Sequence, residues 1–436
     1  MAEGARGFII AAPATGQGKT TLVLGLIGAL RIRGLRVGAL KVGPDFIDPG
    51  FHLAAGAAAS FNLDHWGMRR ETRAALIAAA GAGADFVIAE GMMGLFDGAP
   101  GGGGSTADIA AETGWPVILA LDAGPQAQSI AAVAQGFLRF RDDVRVAGVV
   151  LTKVGGAPHR KLLADALAAA GIRVFGMIGH DTTLALPERH LGLVQAREHK
   201  LGLLMNNVAT AAAAGLDLDA LLAAAAPSRL VADARAAKVL APLGQRIAVA
   251  DDVAFAFAYP HLLQGWRAAG AEILRFAPLA DEAPPADCDA VYLPGGYPEL
   301  HAGHLAANKN FRDGMYAAAV RGAAVYGECG GYMALGDALI DAKRTSHAML
   351  GLLPVITTFA KPRLRIGYRS VALASETPLG AANAHFRGHE FHFSGIVQEA
   401  ESDRLFEVTE TDGSTRPAGL RRGTVFGSYL HLIDAA

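Results

Sequence analysis

Two consecutive α/β domains, each doubly wound around a parallel sheet, follow from three features of this 436-residue chain. Short apolar runs alternate with helical patterns through the first half. The alternation pauses in an Ala- and Leu-rich stretch and resumes after a Pro242-Leu243-Gly244 turn. Each half carries a Gly-rich turn between a strand and a helix, and the two turns differ in chemistry.

The first half opens on Gly7-Phe8-Ile9-Ile10-Ala11-Ala12. A continuous apolar run of this length suits a strand covered on both faces. A helix follows from about Lys19 to Arg33, with Leu22, Leu26, Ile27 and Leu30 at helical spacing. Further strands are predicted at Val37–Val42, Phe86–Ala89, Val117–Leu121, Val146–Leu151 and Val174–Ile178. Residues from about Ala209 to Leu240 read as helical and end the first domain, giving residues 1–240 and 241–436. Beyond the joint, strands are predicted at Ile247–Ala250, Ile273–Phe276, Ala290–Leu293 and Ala323–Tyr326.

Charge excludes some classes of function. Lys and Arg total 39 against 41 Asp and Glu, so neither a nucleic-acid footprint nor a polybasic membrane surface is expected. No charge-free apolar run reaches the ~20 residues that span a bilayer. The start of the chain lacks a basic stretch leading into a long apolar one. Two cysteines, Cys288 and Cys329, exclude a disulfide scaffold and fit the cytoplasm.

The turn Ala14-Thr15-Gly16-Gln17-Gly18-Lys19-Thr20-Thr21 lies between the first strand and the first helix. Gly16 and Gly18 let backbone amides curl around phosphate oxygens, and the helix N-terminus adds partial positive charge. Lys19 can reach the β- and γ-phosphates, and the Thr20 hydroxyl can bind Mg²⁺. Thr15, Gly16, Gly18, Lys19, Thr20 and Thr21 are therefore the candidate phosphate-binding residues of a nucleotide site, although Pro13 stands where the usual loop begins with Gly. Carboxylates for the metal are sought at strand ends. Asp45 and Asp48 follow one strand in Lys41-Val42-Gly43-Pro44-Asp45-Phe46-Ile47-Asp48-Pro49; Glu90 and Asp97 follow another. Thr20, Asp45 and Glu90 make the candidate metal set, while helix capping is an alternative reading of Asp48 and Asp97.

Gly327-Glu328-Cys329-Gly330-Gly331 follows a strand and precedes a helical pattern. Small residues on both flanks suit a sharp elbow that projects a nucleophile, with the next amide in an oxyanion hole. The helix N-terminus should lower the thiol pKa. Pro294-Gly295-Gly296 follows the preceding strand, so Gly296 and Gly330 are the candidate oxyanion donors. A thiol nucleophile needs a base, and His431 lies late in the same half. The alternation through Arg387-Gly388-His389-Glu390-Phe391-His392 reads as a strand rather than a metal site. Cys288 reads as structural.

On these residues the second half resembles the class I glutamine amidotransferases, with a flavodoxin-like fold. The first half resembles the dethiobiotin-synthetase-like P-loop NTPases. The strings at 41–49, 187–193 (Pro-Glu-Arg-His-Leu-Gly-Leu) and 388–392 (Gly-His-Glu-Phe-His) occur in the order found in the cobyrinic and hydrogenobyrinic acid a,c-diamide synthases, and the resemblance covers nearly the whole chain. It implies a cytoplasmic, homodimeric ligase using MgATP and glutamine. Cys329 matches the family's nucleophile and His431 its base. Asp45 and Glu90 fall at metal positions, and Lys41, Asp48 and Asp97 in substrate-facing loops. It also implies that ammonia passes from Cys329 to an acyl phosphate formed at the phosphate loop. Triad enzymes usually carry a Glu two residues after the His, and here that place holds Ile433. Thr152 stands where an Asn often reads the nucleotide base, and Arg189, His190, Arg365 and Arg369 are candidate partners for corrinoid carboxylates. Alternatives are an amidase-ligase for another tetrapyrrole such as a nickel-sirohydrochlorin, the synthase amidating four other corrin side chains, and a partitioning-type ATPase switch.

Overall fold

Phe8, Ile9 and Ile10 are fully buried, and the run that holds them becomes β1 (Arg6–Ala11) at the centre of a parallel sheet. The computed structural model describes residues 4–186, 195–196, 201–232, 240–410 and 413–436. It divides into two units, Met1–Trp66 with Arg70–Ala237, and Gly67–Arg69 with Lys238–Ala436. The string at 187–193, with Arg189 and His190, lies outside the described residues.

The first unit continues with α1 (Lys19–Ile32), β2 (Val37–Val42), α2 (Asp48–Ala55), β3 (Ala59–Leu63), α3 (Arg70–Gly81), β4 (Phe86–Glu90), α4 (Thr106–Thr113), β5 (Val117–Asp122), α5 (Ser129–Arg139), β6 (Val146–Val154), α6 (Ala157–Ala169), β7 (Val174–Gly179), α7 (Gly202–Gly215), α8 (Leu218–Ala224) and β8 (Ala226–Pro227). Parallel pairing runs β3-β2-β4-β1-β5-β6-β7, and β8 adds a short antiparallel pair to β1. The chain reverses its direction of travel across the sheet on either side of β1, so the carboxyl end of β1 is the switch point where such sheets take ligands. Leu22 through Leu30 of α1 are all buried, because the sheet covers one face and α7 the other. A methyl on Gly25 would stand 2.7 Å from the Val208 carbonyl, and one on Gly28 2.7 Å from Ala209 Cβ. Each leucine buried this way contributes ~1.5–3 kcal/mol of transfer free energy.

Two expectations for this unit are corrected. The stretch from Ala209 is not one helix. Leu216 turns extended after α7, Asp217 caps α8 by accepting the Ala220 amide at 2.9 Å, and Ala226–Pro227 becomes a strand. The strand β3 was also not anticipated. Its Ser60 and Asn62 are buried polar residues, so it lacks the apolar run that marks its neighbours.

The strands of the second unit are β9 (Arg246–Ala250), β10 (Glu272–Phe276), β11 (Ala290–Leu293), β12 (Ala324–Glu328), β13 (Ala338–Ile340), β14 (Ser346–Ala348), β15 (Val355–Thr358), β16 (Arg365–Leu373), β17 (His385–His392), β18 (Gly395–Glu399), β19 (Asp403–Thr409), β20 (Thr415–Arg422), β21 (Val425–Ser428) and β22 (Leu430–Ala435). Its helices are α9 (Pro260–Ala268), α10 (Ala302–Ala307), α11 (Lys309–Val320) and α12 (Gly330–Leu335). The parallel strands run β10-β9-β11-β12-β21. Counted among themselves this is the order 2-1-3-4-5 of the flavodoxin type. The sheet then continues antiparallel through β20, β19, β16, β17 and β22, and β14-β13-β15-β18 forms a second sheet. The antiparallel half was largely unforeseen. Strands such as β16 and β18 are half exposed, and an antiparallel sheet wet on one face need not be continuously apolar. Its consequence is functional: β22 returns beside β17, with His389 opposite His431.

Candidate functional site

The loop from Ala12 to Lys19 leaves β1 and enters α1 at the switch point. Gly16 and Gly18 have φ of 82° and 83°, a region costly to any side chain. Lys19 folds over this loop and donates from Nζ to the carbonyls of Ala14 (3.0 Å) and Met93 (2.6 Å). Burial, then the nearby Lys41, brings its amine down to about 8, although Glu90, Asp48 and Asp97 pull the other way. Gln17 anchors the loop to β5 and β6, taking the Asp122 amide on its side chain and the Thr152 hydroxyl on its carbonyl.

The β2–β4 register sets Lys41 beside Glu90, and a buried charge cluster grows from that pair. Thr20 donates its hydroxyl to Glu90 Oε1 at 2.6 Å, and Lys41 Nζ donates to the same oxygen at 3.0 Å. Lys41 also pairs with Asp48 at 2.5 Å. His52 Nε2 lies 2.8 Å from Glu90 Oε2, and its Nδ1 lies 3.0 Å from the Ser60 hydroxyl. Burial alone would push the Glu90 carboxyl up. The Lys41 ammonium, with the His52 and Thr20 contacts, outweighs it and holds Glu90 well below the carboxylate range. Lys41 is held above its ordinary value, because Asp48 and Glu90 overcome burial. Asp48 moves up instead, driven by burial and then by Asp45 and Glu90.

Thr20, Lys41, Asp48, Glu90 and Lys19 are thus brought together. Asp45 accepts the Ile47 and Asp48 amides on one carboxylate oxygen, which starts α2. Asp97 accepts the Gly94 amide at 2.8 Å and shapes the turn after β4. Thr15 is exposed on the loop. Thr21 lines a pocket together with Gly18, Leu22, Thr152, Ile178 and Leu184. His52 and Ser60 were not foreseen; neither belongs to a turn motif, and only the fold brings them to Glu90.

In the second unit Cys329 sits between β12 and α12 with φ 48° and ψ −102°. This strained conformation is that of a nucleophile elbow. The elbow forms because Gly331 packs where a methyl would stand 1.9 Å from the Leu293 carbonyl. Gly330 also lies against Gly296: a methyl on Gly330 would be 2.9 Å from the Gly296 nitrogen. The two candidate oxyanion donors are therefore neighbours. Cys329 Sγ donates to the Phe391 carbonyl at 3.7 Å.

The expected lowering of the thiol pKa is corrected. Burial pushes the Cys329 thiol far up, and Glu299 adds to it, while the Gly330 amide only partly opposes them. A six-residue helix cannot offset the desolvation of a thiolate. At neutral pH the group rests as a thiol, so a nucleophilic role for it would require a base. His431 is buried in β22 and lies beside the elbow: a methyl on Gly295 would stand 2.3 Å from His431 Cε1, 3.1 Å from its Nε2 and 3.4 Å from Cys329 Cβ. Glu328, next to Cys329, has Oε2 3.7 Å from His431 Nδ1. Gly295 was anticipated only as one of the consecutive glycines turning amides toward the elbow, not as the wall of His431, and Glu328 was given no role.

A pocket opens beside this centre, lined among others by Tyr332, Arg365, Glu390, His392, Arg416 and Tyr429. Arg369 is paired with Glu390 at 2.9 Å. Glu390 is lowered to about 2; burial raises it, but His392, Arg369 and Arg416 prevail. Arg365 and Arg369 thus belong to the surroundings of the thiol.

The Gly295 geometry gives a test. Gly295→Ala should slow reaction at Cys329 by about 5- to 150-fold, matching ~1–3 kcal/mol of overpacking against His431. Steady-state kinetics of the reaction at Cys329 measures it, and an unchanged rate would show that crowding of His431 does not matter.

Residues 8–194 match the CobQ/CobB/MinD/ParA nucleotide binding domain, and residues 246–436 match the CobB/CobQ-like glutamine amidotransferase domain. The chain is similar to the hydrogenobyrinate a,c-diamide synthase of Sinorhizobium sp, with 51% identity over 436 residues covering 99% of each chain. That of Rhizobium meliloti (strain 1021) is 52% identical over 434 residues, covering 98% of this chain and 99% of the relative. That of Brucella abortus biovar 1 (strain 9-941) is 52% identical over 435 residues, covering 98% of each. Among the described residues no helix is long and apolar enough to cross a membrane.

Proposed function

The chain belongs to the hydrogenobyrinate a,c-diamide synthase family, and we propose that it amidates the a- and c-side-chain carboxylates of hydrogenobyrinic acid in cobalamin biosynthesis, using ATP and glutamine. The observation that carries this reading is the presence in one chain of two complementary sites: a thiol elbow beside an imidazole, and a phosphate loop whose Thr20 meets Glu90 and Lys41.

Glutamine enters the pocket beside Tyr429, where Arg416 and Arg365 suit its α-carboxylate. His431 takes the Cys329 proton and the sulfur attacks the amide carbon. The oxyanion is received by the amides of Gly296 and Gly330. Ammonia leaves with the proton from His431, and water releases glutamate from the thioester.

A carboxylate is a poor acyl donor at neutral pH, so it must be activated. In the first unit the γ-phosphoryl group of ATP is transferred to the side-chain carboxylate and ADP leaves. Ammonia attacks the acyl phosphate, the C–O bond to phosphate breaks, and the amide and inorganic phosphate form. The Lys19 amine leaves the Ala14 and Met93 carbonyls for the phosphates, where its charge is needed as the phosphoryl group moves. The nucleotide base occupies the pocket beside Thr21, Leu22 and Thr152. Thr20 and Glu90 offer two hard oxygens at the phosphate end of the loop and fit Mg²⁺, with the free carboxylate oxygen of Asp45 as a further candidate. When bound, Mg²⁺ supplies charge neutralisation at the phosphates. Lys41 and Asp48 face the substrate carboxylate, and Asp97 shapes the turn that approaches it. A domain joint at residue 240, a homodimer and a cytoplasmic location complete the reading, the last supported by two free cysteines.

The test offers purified protein hydrogenobyrinic and cobyrinic acids in separate reactions with MgATP and glutamine. Mass spectrometry should count two amides gained on hydrogenobyrinic acid. No gain on either acid would defeat the proposal, and a gain on cobyrinic acid alone would move it to the cobalt-bearing substrate.

A further inference from the structure

We propose that Glu328, the residue immediately before the nucleophile, is the positioning carboxylate of His431 and takes the place of the acid that Ile433 cannot supply. The inference rests on glutamine hydrolysis at Cys329 and names a further group that this site needs.

The carboxylate is built into the centre of the second unit. Glu328 is the last residue of β12 and is 1% exposed, as is His431. Three donors hold it: Tyr326 Oη at 2.8 Å and the Leu432 amide at 3.1 Å reach Oε1, and Tyr292 Oη reaches Oε2 at 2.7 Å. A buried anion left without such donors is costly, and three of them remove most of that cost. Both phenols are pushed well above their ordinary value, first by burial and then by the Glu328 charge, so they remain donors. The remaining direction from Oε2 leads to His431 Nδ1 at 3.7 Å. Catalytic contacts are commonly loose before substrate binds.

The topology fixes the pair on both sides. Glu328 is held by the β12–β21 register, opposite Ser428. The Leu432 amide that binds it belongs to the residue after His431, so one carboxylate grips the backbone of β22 and faces its imidazole. With Nδ1 turned to Glu328, Nε2 is the ring nitrogen left toward Gly295 and the nucleophile, which agrees with the 3.1 Å approach of a Gly295 methyl to Nε2. A proton on Nδ1 then leaves Nε2 basic, which is the tautomer a thiol requires. His389, opposite His431 on β17, cannot do this: burial, then His431 and Arg369, lower it to about 3, so it is neutral and brings no negative charge.

The test is Glu328→Gln, which keeps the shape and removes the charge. Glutamine-hydrolysis kcat should fall about 10²–10⁴-fold, the scale seen when a histidine is left in the wrong tautomer. KM for glutamine should stay within about threefold, and synthesis from ammonium within about twofold. Glu328→Asp should restore part of kcat. An unchanged kcat in Glu328→Gln, or a loss confined to KM, overturns the inference. If ammonium-dependent synthesis is lost as well, the fold has failed, and ¹⁵N-imidazole NMR of the unsubstituted protein decides. A proton on His431 Nδ1 is expected, and a resting ring protonated at Nε2 alone overturns the assignment. Failure of the unsubstituted protein to hydrolyse glutamine would instead strike the proposed function.

Discussion

Cys329→Ala should abolish glutamine-dependent synthesis, by at least about 10³-fold, and leave ammonium-dependent synthesis within about twofold. The asymmetry follows from what the sulfur does. In the proposed reaction it forms the bond to the glutamine amide carbon, and no neighbouring group can replace it. It does little to hold the fold. The backbone at φ 48° is imposed by close packing of the glycines around it: a methyl on Gly327 would stand 2.8 Å from the Gly331 carbonyl, and one on Gly331 would strike Leu293. Alanine keeps the Cβ that the elbow already accommodates. Assays with glutamine and with an ammonium salt, run on one preparation, read both effects. Loss of both activities would contradict the division of labour.

Lys19→Ala should produce the complementary result. Synthesis should fall by about 10²–10³-fold with glutamine and with ammonium alike, the scale of removing one preorganised charge donor from phosphoryl transfer. Basal glutamine hydrolysis should persist, because Cys329, His431 and Glu328 lie in the other unit. Lys19 is nine-tenths buried, yet its two hydrogen-bond partners are neutral backbone carbonyls, those of Ala14 and Met93. Its removal therefore leaves no uncompensated buried charge. Lys41 differs in this respect, since its loss would strand Glu90 and Asp48 and cost ~3–5 kcal/mol. Rates with both nitrogen sources, beside glutamate release, separate the two sites. Retention of synthesis in Lys19→Ala would remove the phosphate loop from the reaction.

The parts of these sites that were legible in the sequence are those fixed by local geometry. The phosphate loop and the cysteine elbow each need small residues at set places around one reactive group, and such patterns survive without a fold. His431 was legible only weakly before the resemblance, from its place late in the second half, since a lone histidine carries no spacing signal. The central strands were legible because burial on both faces makes them continuously apolar. The rest depends on pairing across the sheet. Glu90 meets Lys41 through register, His52 reaches Glu90 from α2, and β3 is hidden by the polar side chains it turns toward the cluster. Thiol acidity was misread for a related reason. A helix N-terminus is visible in the sequence, but the depth at which it is buried is not.

Coupled chemistry at the two sites is tested most directly by mass spectrometry of a reaction run with amide-¹⁵N glutamine and a substrate ¹⁸O-labelled in its carboxylates. The diamide should carry ¹⁵N at both new amides, and each amide formed should release one phosphate bearing a single ¹⁸O. Phosphate without ¹⁸O would rule out the acyl phosphate, and amides without ¹⁵N would rule out Cys329 as the source of their nitrogen.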